Sequence, residues 1–97
     1  MDGKLAFLLA LEDIIDHRLT SNHESSYVRT LLNSGLDRVL KKVGEEAGEV
    51  IIAAKNNDSE ELLNESADLL FHLILVLKKQ GHSIEDVVDV LVKRHDS

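Results

Sequence analysis

The chain has 97 residues, 43% of them hydrophobic and 30% charged, with a formal net charge of -7, a pI near 5.1, and neither Cys nor Pro. That composition excludes disulfides, thiol catalysis and Cys-ligated zinc, and it offers no basic stripe to a nucleic-acid backbone. The length sets one domain over residues 1–97 as the expectation. A chain this short buries only about 60 to 65% of its unfolded surface, so a helical version gains from pairing with a second copy. Apolar runs fall far below the roughly 20 residues of a bilayer span. Met1 to Ala10 runs on into Glu12 and Asp13 without a cleavage-like segment. Cytoplasm is the default expectation, with no membrane partner.

In chain order, the absence of Pro and the apolar spacing predict helices throughout. Met1 to Arg18 carries Leu5, Leu8, Leu9, Leu11, Glu12, Ile15 and Leu19 at helical spacing, with Asp2 as a candidate cap, and reads as a packing arm. Thr20 to Ser25 reads as a loop, and Ser25 or Ser26 as the cap of a short helix from Tyr27 to Asn33. Ser34-Gly35 breaks that helix, and Leu36 starts a long one that ends near Lys55. Leu36, Val39, Val43, Ala47, Val50 and Ala54 share its apolar side, with Glu46 at the border and Glu49 just beyond. Gly44 and Gly48 lie on one face of this helix, where missing side chains would admit a second helix or a phosphate. Lys55-Asn56-Asn57-Asp58-Ser59 reads as the turn of an antiparallel helical hairpin, with Ser59 as N-cap of the second arm. That arm runs to Gln80, with Gly81 as its stop. Its middle, Leu69 to Leu77, is apolar on nearly every side and predicts a subunit interface. Ser83 to Asp86 caps a final helix that reaches Lys93-Arg94-His95.

The acids carry the chemistry. Glu46 and Glu49 are three residues apart, as are Glu65 and Asp68, so each pair projects to one side of its helix about 4.5 Å apart along the axis. Folding the hairpin about Asn57 sets Glu49 opposite Glu65, since 57 minus 49 and 65 minus 57 are both 8, and Glu46 opposite Asp68, both 11. Clustered carboxylates repel unless a cation neutralises them. An all-oxygen set suits Mg²⁺, with Mn²⁺ as a substitute, and Mg²⁺ is commonly completed by substrate phosphates. A solvated acidic helix face is the blander alternative, and the symmetric set of four favours the metal site. Glu45 points about 100° from Glu46, and it stays open between binding a second metal, orienting a water and facing solvent. Lys42, one turn before Glu46, either pairs with it or meets a phosphate, and Arg38 is placed to grip phosphate bidentately. His72 reads as a core histidine bonded to a carboxylate rather than as a ligand.

The pattern of Glu45, Glu46 and Glu49 followed by Glu65 and Asp68 resembles the metal signature of the all-α, MazG-like nucleoside triphosphate pyrophosphohydrolases. Within that group the longer string, from Ser26-Tyr27 through Leu36-Asp37-Arg38, Lys42 to Ala47 and Ala67 to Leu73 to Lys93-Arg94-His95, resembles the phosphoribosyl-ATP pyrophosphohydrolase family. The family usually continues Ser-Tyr with Thr, where Val28 stands here. The resemblance implies a MazG-like helical bundle completed by homodimerisation, with Glu46, Glu49, Glu65 and Asp68 as metal ligands. It implies Mg²⁺-dependent hydrolysis of 1-(5-phosphoribosyl)-ATP to phosphoribosyl-AMP and pyrophosphate in histidine biosynthesis. It also makes Arg94 and His95 candidates for contact with the nucleotide, beside Arg38, Lys42 and Tyr27, the last either stacking on a base or packing at the dimer seam. Two rivals follow. One is a house-cleaning pyrophosphohydrolase of other nucleoside triphosphates, separable by substrate preference. The other is a non-catalytic helical dimerisation module, which predicts no effect of Mg²⁺ on stability.

Overall fold

The computed structural model describes residues 3–20 and 35–96, and every regular element among them is helical. A short 3-10 turn, Lys4–Ala6, leads into α1, Phe7–Thr20. The arm predicted as one helix from Met1 thus begins with a tighter turn, and no side chain caps it at Gly3. The candidate cap Asp2 and the predicted short helix from Tyr27 to Asn33 lie outside the described residues. Next come α2, Leu36–Lys55, α3, Ser59–Lys79, and α4, Ile84–His95.

Helices α2 and α3 form the predicted antiparallel hairpin. Its turn closes as Asn57 enters the left-handed region at φ 56° while the Asp58 amide donates back to the Ala53 carbonyl at 3.0 Å. The cap of α3 is Asp58, not Ser59: Asp58 Oδ1 accepts from the Glu61 amide at 3.1 Å. The chain is already extended at Asp58, so its carboxylate, one residue earlier than expected, meets the orphan amides first. Gly81, at φ 81°, follows the end of α3 as predicted. The Ser83 to Asp86 cap is reciprocal, with the Asp86 amide donating to Ser83 Oγ and the Ser83 amide to Asp86 Oδ2.

The core draws on every helix. Ile15 of α1, Val39 of α2 and Ile74 and Leu75 of α3 are fully buried, with Leu8, Leu11, Phe71, Val76 and Ile84 packed around them. The buried stripe of α2 runs from Val39 to Ala53, and Ala54 is exposed. Positions 39, 43, 46, 50 and 53 form that seam, which places Glu46 inside it rather than at its border. A buried carboxylate fastens the fourth helix: Glu12 Oε2 accepts from the Ile84 amide at 2.7 Å, joining α1 to the N-terminus of α4. Lys78 and Asp16, 3.0 Å apart, tie α3 to α1, and that carboxylate holds the Lys78 ammonium above its ordinary pKa.

Candidate active site

The hairpin brings the two acid pairs to one region by different contacts. Across it, Glu65 is hydrogen-bonded to Glu49 and also to Glu61, one turn earlier on α3. These bonds, chiefly that with Glu49, with partial desolvation and the charge of both neighbours, push the Glu65 carboxyl from 4.5 up to about 8. Glu65 therefore carries a proton at neutral pH and donates it to its neighbours. Glu49, Glu61 and Glu65 line a cavity of about 290 Å³ with Ile52, Ala53, Asn56 and Asp58. Glu61 was not among the acids singled out from the sequence. Its position four residues before Glu65 was the available signal.

The second pair behaves differently. Glu46 turns inward along the seam, and its Oε1 lies 2.6 Å from Nδ1 of the buried His72. The same nitrogen lies 2.9 Å from the backbone carbonyl of Asp68, while the Asp68 side chain is exposed. His72 is thus the expected core histidine beside a carboxylate. The carboxylate is that of Glu46, and Asp68 is met through its backbone. Glu46 Oε1 is buried with no hydrogen-bond partner among the described residues. Among those residues no three acidic or histidine side chains group closely enough to hold a metal ion as they stand.

The basic candidates occupy the start of α2. Arg38, Lys41 and Lys42 line a cavity of about 520 Å³ with Asp37 and Glu45. Glu45 thus faces the basic side, and Lys42 forms no ion pair with Glu46 among the described residues. No added Cβ at Gly44 or Gly48 would meet an atom within 4 Å, so the close approach expected there is not made by any described part of this chain. Arg94 and His95 are exposed at the end of α4, where His95 Nδ1 bonds the Leu91 carbonyl at 2.8 Å. No described contact joins either to the acids. Tyr27 lies outside the described residues.

A family model described as phosphoribosyl-ATP pyrophosphohydrolase matches residues 8–95. The chain is 50% identical over 91 residues to a phosphoribosyl-ATP pyrophosphatase of Leptospira biflexa, covering 94% of this chain and 99% of that protein. It is 54% identical over 85 residues to a histidine biosynthesis bifunctional protein of Bacillus subtilis, covering 88% of this chain and 41% of that protein. A bifunctional protein of the same description from Thermus thermophilus is 56% identical over 81 residues, with 38% of its length covered. The chain therefore spans less than half the length of those bifunctional relatives.

Proposed function

The chain belongs to the phosphoribosyl-ATP pyrophosphohydrolase family, and from that premise we propose that it hydrolyses 1-(5-phosphoribosyl)-ATP to phosphoribosyl-AMP and pyrophosphate in histidine biosynthesis, with Mg²⁺ as cofactor. The observation that carries this reading is the Glu49–Glu65 contact across the hairpin, with Glu46 one turn away, its buried Oε1 set against His72 and accepting no hydrogen bond among the described residues. Both features fit a hard cation. A proton now bridges carboxylates that a divalent ion would neutralise, and the donor set is all oxygen. Glu46, Glu49, Glu65 and Asp68 are the residues that would hold it. When bound, Mg²⁺ supplies charge neutralisation for the departing pyrophosphate and acidifies a water.

The chain's own side chains do the rest. Arg38 and Lys42, in the basic cavity toward the start of α2, bind phosphate oxygens and orient the anhydride relative to the acids. Glu45 lines that basic cavity, one turn before Glu49 on α2, and accepts the proton of the attacking water. Arg94, His95 and Tyr27 remain candidates for contact with the nucleotide.

A homodimer completes the proposal. Ile51, Ile52, Leu63, Leu70 and Leu73 remain exposed along the hairpin. A second copy on that face would cover them.

Pyrophosphate release with Mg²⁺ tests the assignment, comparing phosphoribosyl-ATP with a panel of ribo- and deoxynucleoside triphosphates, each with an EDTA control. Release confined to phosphoribosyl-ATP and lost in EDTA is expected. Release from the panel would instead favour the house-cleaning activity, and none from any substrate the dimerisation module.

A further inference from the structure

The imidazole of His72 has no part in the chemistry above, yet it touches Glu46 on α2 and the backbone of Asp68 on α3. Its side chain is 5% exposed, with Nδ1 at 2.6 Å from Glu46 Oε1 on α2 and 2.9 Å from the Asp68 carbonyl one turn back on α3. Both neighbours are acceptors. A bare Nδ1 would set its lone pair against both, so the ring hydrogen belongs on Nδ1. That hydrogen is directed at the Asp68 carbonyl, while Glu46 Oε1 rests against the same N–H at 2.6 Å as the ring's ion-pair neighbour, its remaining lone pairs without a hydrogen bond among the described residues. A buried carboxylate oxygen in that state is costly unless something else comes to it.

We propose that His72 is a positioning residue that fixes the Glu46 carboxylate against the Asp68 backbone across the hairpin, holding the acid pairs in register and Glu46 Oε1 poised for a divalent cation. The proposal rests on reading the acids as a Mg²⁺ site. Ring and carboxylate come from different helices, so the contact sets the rotation of α2 against α3 at the level of the acids. Edge-on packing of Phe71 on the imidazole, with ring centroids 5.2 Å apart and planes at 79°, restricts the ring further.

The test is a substrate-free Mg²⁺ titration of the full chain, read by thermal shift and by calorimetry, on the parent and three variants. H72F keeps an apolar ring in the seam, and its half-saturating Mg²⁺ concentration is expected to rise about 10- to 100-fold, the usual loss when a group that orients a metal ligand is removed. H72N places an amide nitrogen nearest the position of Nδ1 and is expected to recover most of that loss. H72Q reaches toward the position of Nε2 and is expected not to. With substrate, kcat should fall in H72F and H72Q more than KM rises, since the defect lies in the acids and not in the basic cavity. Imidazole ¹⁵N shifts of the parent should report hydrogen on Nδ1, a readout that needs no variant to fold. Parent-like Mg²⁺ affinity in H72F, or a bare Nδ1 in the parent, would overturn the proposal. Absence of any Mg²⁺ response in the parent would remove the metal-site reading itself, and this proposal with it.

Discussion

Glu65 ionises near 4.5 in the unfolded chain and near 8 in the folded one. Between those values the folded chain holds a proton that the unfolded chain has released, so stability falls as pH rises from about 4.5 to about 8. Thermal melting in EDTA across that range should show the decline, and Glu49→Gln should flatten it by removing the largest cause of the shift. If Mg²⁺ binds these acids as proposed, it displaces the same proton, so its stabilising effect should grow over that pH range, with proton release measurable by calorimetry in two buffers. In the presence of substrate, Glu49→Gln should abolish turnover while leaving the fold intact; unchanged turnover would remove Glu49 from the site. The partnership of Glu49 and Glu65 was legible by counting residues either side of Asn57. That of Glu46 and His72 was not, because it depends on how far α2 rotates into the seam. Placing the stripe at Ala54 rather than Ala53 moved Glu46 to the edge.

The helix boundaries were legible because they rest on local chemistry, and the misassigned cap shows the limit of that reading. In Asn57-Asp58-Ser59 every residue type is a credible cap, and only the backbone decides which one sits at the break. Asp58→Ala should cost about 1 kcal/mol, while Ser59→Ala should change little; urea denaturation separates the two. Asn57 holds a positive φ, so Asn57→Gly should be tolerated, whereas Asn57→Val should cost about 1–2 kcal/mol. Glu12 was read as part of an apolar spacing with no task of its own. Its partner, the Ile84 amide, is 72 residues away, beyond anything periodicity reveals. Glu12→Ala should cost about 1.5–3 kcal/mol, the usual range for a hydrogen bond to a charged group.

For the whole molecule, the all-α class and the central hairpin followed from composition and spacing, while the surface left uncovered did not. The segment from Leu69 to Leu77 was expected to need surrounding by a partner. This chain's own core covers Ile74 and Leu75, leaving Leu70 and Leu73 for anything further. If a second copy packs on the hairpin, Leu63→Lys and Ile51→Lys should lower the mass seen by sedimentation equilibrium. Gly48→Ala offers an independent check. In an isolated chain it should raise stability by about 0.5–1 kcal/mol, and a loss instead would mean that another helix packs there. The Glu12–Ile84 bond also bears on how the chain reaches this state. The hairpin closes through a turn of a few residues, whereas α1 and α4 meet only after most of the chain has been drawn together, at the entropic cost of a long loop. Folding kinetics should therefore give high φ-values across α2 and α3 and low ones at Glu12 and Ile84. The surface that gathers the acids would form first, and the clasp between the outer helices would chiefly slow its undoing.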